Sequence, residues 1–452
     1  MYKPYKMPVI NASPDVKVAE PRISKLAVFI LSFLVNPYML MLFGPAKIKL
    51  ADEKILFDVF QRTLSRKSRC LIAFRHPDGR EPQLLTWFFL FRVKPLAAQS
   101  RIRFARRPHA IFVYGYEVAR WGGWIARAVM PKIGAIPIHH SKLDSKGMAR
   151  IYDSIVNGQY PLALAPEGQV SYTTDTVPRL ETGTIRIGFQ AAEQLKENGK
   201  NCPLEILPIS IHFRYGNPGK AAMEKLLRRI EKTCGFRIKE TSRYLFEDRL
   251  KKCLTYLLEI NEGRYNIKIY DSISLEERVE KVVNTALETA ERMLGIKGEG
   301  GDFFQRLYRV RHICWDMIFI PEINNFDKIA QVRRSVMDLK AGEAYYIARH
   351  QELADFGWYF RKPVPDRDAA VHLKAEYVQN LWDFANRTMG GAISGRINIP
   401  PRKIIIKPAP VIDLSARLSH YKNDKRGAVN EAIADLEKAY VKCIEEVNNT
   451  EN

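Results

Sequence analysis

The chain has 452 residues, 46% hydrophobic and 27% charged, enough for two or more domains with real cores. Its six cysteines (70, 202, 234, 253, 314, 443) are scattered, with no CxxC pair and no His-containing ligand spacing, so neither a disulfide framework nor a zinc site is suggested, and a reducing, cytosol-facing location is the easier reading. A formal charge of +21 asks for an anionic partner: nucleic acid, an anionic membrane surface or acidic substrates.

Residues 1–25 are polar and proline-bearing and read as loosely ordered. Residues 26–43 (LAVFILSFLVNPYMLMLF) form the most apolar stretch, near the length of a bilayer-spanning helix. Asn36 and Pro37 interrupt it, and Lys25, Lys47 and Lys49 flank it. The expectation is membrane contact, as a tilted span or as a helical hairpin dipping into one leaflet; the plainer alternative is a buried, proline-kinked core helix. A long polar region precedes it and no small-residue cleavage site comes after it, so it does not read as a signal peptide.

Residues 70–85 (CLIAFRHPDGREPQLL) read as a short buried strand, a tight polar turn and the start of a helix. Pro82 suits the first helical position and leaves Glu81 near the cap. His76 therefore stands where a strand ends, with Glu81 beyond one turn. A carboxylate can then hold one imidazole nitrogen while the other faces a cleft, and such a His can take a proton from an alcohol. Asp78 is the alternative acid. A lone His-x4-Glu is more often a surface turn, and its weight comes from three more blocks further along the chain.

Residues 87–91 (WFFLF) continue the helix and, with Trp121 and Trp124, serve either as membrane-facing surface or as core. Residues 110–114 and 162–165 read as further buried strands. Alternation of strand and helix predicts an α/β fold: a mixed central sheet flanked by helices, with an N-terminal membrane-associated helical segment and an added C-terminal helical region. The three further blocks come in order: 130–141 (MPKIGAIPIHHS), 160–171 (YPLALAPEGQVS) with 179–183 (RLETG), and 206–213 (ILPISIHF).

At this point the chain resembles the lysophospholipid and glycerolipid acyltransferases, of the 1-acylglycerol-3-phosphate acyltransferase type. The family's His-x4-Asp signature looks like His76 to Glu81. Its Gly-x-Ile-Pro block looks like Gly134 to Ile138, its Pro-Glu-Gly block matches Pro166, Glu167 and Gly168, and its last block looks like Leu207-Pro208-Ile209. The resemblance covers residues 65–215 and implies a catalytic His76 oriented by Glu81. It also implies substrate-binding roles for Pro166, Glu167, Gly168, His140, Ser171 and Gly183, with no metal. It departs in three places. Glu81 replaces Asp, His140 stands where an Arg commonly ends the second block, and Gln169-Val170 stands where Thr-Arg commonly comes after Pro-Glu-Gly. In relatives that use a phosphomonoester acceptor those arginines hold the phosphate, so the acceptor here is either lysophosphatidic acid, with Lys132, Arg179 or Arg186 compensating, or a lyso-lipid without that group.

Beyond residue 215 the sequence is mostly helical. Residues 220–259 are helical and basic, 265–270 (YNIKIY) alternates like a strand, and 275–294 is amphipathic, with Val279, Val282, Val283, Ala286, Ala290 and Leu294 on one face. Glycine-rich linkers at 295–301 and 390–401 bracket an aromatic helical stretch. A strand at 403–407, a Pro-x-Ile-Asp turn and a helix over 428–447 resemble the end of the acyltransferase domain, a pattern 265–294 fits equally. The expected organisation is an N-terminal segment at 1–50, an α/β domain at 51–295, a helical insertion at 296–400, and a returning strand and helix at 401–452.

The function this implies is transfer of a fatty acyl chain from an acyl thioester to a lipid hydroxyl at the cytoplasmic face of a membrane. Acyl-CoA or an acyl carrier protein is the co-substrate, a lyso-lipid the acceptor, and no further cofactor is needed. The oxyanion donors would be backbone N–H groups near the His76 or the Gly168 turn. The alternative is a catalytically weak lipid-binding relative; nucleic acid is not expected as a partner, for no RNA- or DNA-binding motif accompanies the charge.

Overall fold

The computed structural model describes residues 10–139, 144–241, 243–269, 273–296, 298–323, 325–391 and 395–451. They divide into two compact units: residues 18–214 with 400–452, and residues 215–399 with the N-terminal stretch to residue 17.

The first unit is built on an eight-stranded mixed sheet. In chain order its strands are β1 (Lys47–Leu50), β2 (Arg69–Phe74), β3 (Ile111–Gly115), β4 (Ile136–Ile138), β5 (Leu162–Leu164), β6 (Leu204–Arg214), β7 (Lys403–Pro408) and β8 (Ile412–Asp413). The spatial order is β1-β7-β6-β2-β5-β3-β4, with β8 also on β6. Strands β6, β2, β5, β3 and β4 run parallel, while β7 and β8 lie antiparallel to β6. Strand β2 is buried throughout, as an apolar run between parallel neighbours should be. Its Leu71 and Ala73 pack with the helices Ser145–Val156, Gly183–Glu197 and Lys425–Glu451. Phe74, on the other face, meets the Phe112 ring at 5.8 Å, and Phe112 stacks on Phe89 at 6.4 Å. Helices thus cover both faces.

The apolar segment is one helix, α1 (Lys25–Phe43), continuous through Pro37, and not a hairpin. Ser24 caps it by accepting from the Ala27 N–H. Trp87, Phe88, Phe89 and Leu90 are buried, so the 87–91 run is mostly core. Trp121 and Trp124 are exposed, at 70% and 72%.

The second unit is helical: Asn217–Thr233, Phe246–Tyr265, Leu275–Met293, Phe303–Ile318, Gln331–Gly357 and Val371–Thr388 surround one core. Val279, Val282, Val283, Ala286 and Ala290 face that core as their spacing predicts, and Ser274 with Glu277 closes a capping box at the helix start. Arginines tie the helices together: buried Arg249 to Glu231 at 2.7 Å and half-buried Arg306 to Glu291 at 2.6 Å.

Three expectations change. The inserted unit begins at 215, not 296, because the chain leaves the sheet at the end of β6 and re-enters at β7. Arg214 pairs with Lys403 in register, and the Arg402 N–H donates to Arg214 O at 2.8 Å, so the β6–β7 ladder runs up to the points where the chain leaves and re-enters the sheet. Of residues 265–270, Tyr265 ends a helix that Asn266 caps in the left-handed region (φ 53°), and 267–269 are irregular. Among the described residues there, the alternation reflects no sheet pairing. The N-terminal stretch is partly ordered, with Ser13–Pro14 pairing parallel to Phe319–Ile320.

The terminal helix is fastened to the strand that carries the candidate site. Tyr440 is fully buried and its hydroxyl donates to Ala73 O at 2.9 Å. Tyr440→Phe strips a donor from a buried acceptor and is expected to lower unfolding stability by about 1–3 kcal/mol. Urea unfolding of the variant checks this, and an unchanged midpoint would show that the bond contributes nothing.

Candidate active site

The end of β2 dictates the site. Strand order runs out at Phe74, and Pro77, Asp78 and Gly79 turn the chain into a helix, Glu81–Trp87, which begins one residue before Pro82. Gly79 sits at φ 100°, open to glycine and strained for other residues. The Glu81 carboxylate is completely buried. It accepts three hydrogen bonds: from the Asp78 N–H at 2.7 Å, from the Gly79 N–H at 2.9 Å and from the His76 Nδ1–H at 2.6 Å. The carboxylate fixes the tautomer that carries the proton on Nδ1 and leaves Nε2 as the acceptor. Among the described residues Nε2 has no hydrogen-bond partner, and the side chain is 16% exposed.

Burial alone would lower the His76 pKa. The charge and hydrogen bond of Glu81, with Glu167 and Asp78 further off, outweigh it, and the net direction is upward. Asp78 does not compete for the imidazole; its carboxylate is held by Arg80, whose Nη2 lies 2.8 Å from Oδ2. Arg80 also donates to Leu42 O at the end of α1 and stacks over the Phe43 ring at 4.6 Å. Trp87 Nε1–H donates to Asn36 in the same helix at 3.0 Å. The turn is therefore fixed to α1 at two places.

The Pro-Glu-Gly block comes directly after β5, the parallel neighbour of β2. Both turns lie at the carboxyl ends of adjacent parallel strands, where open α/β sheets place ligands. Gly168 adopts φ 73° and its N–H donates to Ala165 O. The Ser171 N–H donates to His76 O at 2.9 Å, and Val170 lies against Gly79. The Glu181 N–H returns to Pro166 O at 2.7 Å, which leads the chain into the helix opened by Gly183. Of the expected substrate residues, Ser171 thus meets the His76 backbone and Glu167 the adjacent Arg75, with Pro166 and Gly168 in the same loop, while Gly183 opens its own helix further along the chain. His140 lies outside the described residues. The residue before it, His139, stacks on Tyr116 at 4.2 Å.

Sequence reasoning missed Arg75 and Arg80. Arg75 is fully buried and its Nε–H donates to Glu167 Oε1 at 3.0 Å. Its one available signal was a charged residue directly after an apolar strand, which names no partner. No group of three metal-ligating side chains is placed together among the described residues. Compared with family models and with curated proteins, the chain matches none.

The imidazole titration is the direct check on this geometry. By ¹⁵N NMR, His76 is expected to titrate above the ordinary value of about 6.5 for a free His. In Glu81→Gln the midpoint is expected to fall, since the raising charge is gone and burial remains. A midpoint unmoved by Glu81→Gln would contradict the pairing.

Proposed function

We propose that this chain is a membrane-surface acyltransferase that moves a fatty acyl group from an acyl thioester to the hydroxyl of a lyso-lipid. The observation that carries the reading is the His76–Glu81 pair, with Nε2 unpartnered among the described residues, at the carboxyl edge of parallel strands beside the loop 166–171. A hydroxyl is a poor nucleophile at neutral pH. His76 Nε2 takes its proton as the oxygen attacks the thioester carbonyl, and Glu81 stabilises the imidazolium. The C–S bond then breaks and the thiolate leaves with the proton that His76 returns. Backbone N–H groups of the two turns are the candidates for stabilising the oxyanion. Direct transfer needs no covalent nucleophile and no cofactor beyond acyl-CoA or an acyl carrier protein.

Lysophosphatidic acid is the reference acceptor, and a lyso-lipid without a phosphomonoester is its rival. The rival draws support from Val170, which packs on Gly79 where relatives carry a phosphate-binding Arg. Lys132 lies in the short turn Pro131–Ile133, whose Lys132 carbonyl receives the Ser24 N–H at 2.8 Å, and Arg186 stands near Tyr421. Arg179 lies between the Pro-Glu-Gly turn and the helix that Gly183 opens.

The membrane reading rests on α1. Leu26, Phe29, Phe33, Leu34, Leu40 and Met41 are exposed, while Val28, Met39 and Phe43 are buried. Both ends of the helix are bonded to the same unit, through Ser24 to Lys132 and through Leu42 to Arg80. A helix tied at both ends to one globular surface favours lying in one leaflet over crossing. Trp121 and Trp124 suit the same interface, and the net positive charge suits anionic lipid at a cytoplasmic face.

Purified His76→Ala is expected to keep its fold and lose about 10²–10⁴-fold in transfer rate. Full activity in that variant would remove the assignment. A chain beginning at Ala46 is expected to shift from the membrane fraction toward the soluble one on cell fractionation. If it partitions as the full chain does, α1 is not the anchor. An acceptor panel with one acyl donor separates the two acceptor readings: strong preference for lysophosphatidic acid, with Lys132, Arg179 and Arg186 each dispensable as Ala variants, would mean that the missing arginines carry no meaning.

A further inference from the structure

We propose that Arg75 and Glu167 are positioning residues for His76 rather than parts of the acceptor site. This rests on reading His76 as the base of acyl transfer. Glu167 belongs to the block expected to line the acceptor, yet its side chain is 1% exposed and that of Arg75 is 0% exposed. The hydrogen bonds of the Arg75 guanidinium run inward. Nε donates to Glu167 Oε1 at 3.0 Å, Nη1 to Thr174 O at 2.5 Å, and Nη2 to Thr173 O at 2.9 Å and Thr176 O at 2.7 Å. The Arg75 N–H donates to Ile209 O at 2.9 Å, which keeps the residue in register with β6.

One guanidinium therefore gathers three carbonyls of a single loop and one carboxylate, directly before the candidate base in the chain. The planar fork of Arg can do this, and a Lys ammonium cannot reproduce it. The same loop holds His76 again at Ser171, whose N–H donates to His76 O. The base is thus fixed covalently from Arg75 and non-covalently through the loop that Arg75 clamps. Glu167 completes the device electrostatically. Its Oε1 is paired with Arg75, and its Oε2 is buried with no hydrogen-bond partner among the described residues. The Glu167 charge adds to those of Glu81 and Asp78 in favouring protonated His76. Among the described residues, the other charged side chains at the turn include Arg75 itself and Arg80, which is bound to Asp78, and Tyr440 lies close enough to sense both Glu167 and Arg75.

The test uses the full-length protein and three variants: Glu167→Gln, Arg75→Lys, and the double variant Arg75→Met/Glu167→Met. The double variant replaces both charges with apolar groups of similar length and guards against a fold lost to one unpaired buried charge. Three quantities are read: the His76 titration by ¹⁵N NMR without substrate, and kcat and KM for the lyso-lipid acceptor. In Glu167→Gln the His76 midpoint is expected to move down, with kcat reduced about tenfold or more and the acceptor KM within about twofold of wild type. Arg75→Lys is expected to lower kcat with KM again unchanged, because the loop loses its clamp. In the double variant the midpoint is expected to fall and kcat to drop. A Glu167→Gln protein with an unmoved His76 midpoint overturns the proposal even if acyl transfer is confirmed. A rise in acceptor KM with kcat unchanged does the same, by returning Glu167 to the acceptor site. If wild-type protein transfers no acyl group, the acyltransferase reading fails separately, and the titration still decides whether Glu167 acts on His76.

Discussion

A single buried carboxylate organises the site. Glu81 lies at the start of a short helix with no exposed surface, and its two oxygens accept two backbone N–H groups and one imidazole N–H. An ionised carboxylate out of water is tolerated only when such donors replace its hydration. The turn Pro77–Gly79 must therefore curl around Glu81, and the curl leaves His76 with one nitrogen engaged and the other available. The strand before it and the helix after it are the supports for that one arrangement.

A second buried charge stands beside the first, and the two are handled differently. Arg75 and Glu167 form an ion pair at the sheet's edge, and the loop carbonyls of Thr173, Thr174 and Thr176 occupy the rest of the guanidinium. Removing one member of a buried pair of this kind typically costs about 3–5 kcal/mol, because the other is left uncompensated. The pair is therefore a firm point on which the loop after β5 can be fixed against the turn after β2. Arg80 makes a third attachment, from the turn to the carbonyl end of α1. Through Arg80 and the Trp87–Asn36 bond, the apolar helix and the His76 turn share one rigid neighbourhood. The exposed apolar face of that helix and the His76 turn are thereby held at a fixed separation.

Much of this is legible in the sequence, and the illegible parts have a common cause. The strand–turn–helix around His76 comes from local chemistry, an apolar run, turn residues and a proline near a helix start, whereas the choice of Glu81 over Asp78 and the weight of the later blocks rest also on the resemblance. Arg75 and Glu167 are not legible as a pair, because they lie far apart in the chain and no periodicity links them. Pattern alone leaves open whether residues 403–407 or 265–270 complete the sheet. The ladder between Lys403–Pro408 and β6 decides for the first, whereas Asn266 in the left-handed region turns the other candidate away from any strand. The start of the inserted unit is hidden for a related reason. The basic helices after residue 215 pack into the same core as those after 302, and helical periodicity does not say which core a helix joins. The fate of Trp87 and Trp121 shows the same limit, since both are Trp in helices and only packing makes one core and the other surface.

The central claim is that His76, oriented by Glu81, removes the proton of an acceptor hydroxyl during acyl transfer. The most direct measurement is the pH dependence of kcat/KM for transfer from an acyl thioester to a lyso-lipid, set beside the titration of His76 in the free protein. A base must be unprotonated to act, so the account predicts that the rate rises with pH along an acid limb. The midpoint of that limb should coincide with the His76 midpoint, above the ordinary histidine value. A rate that is flat across that range, or a limb whose midpoint does not track the His76 titration, would contradict it.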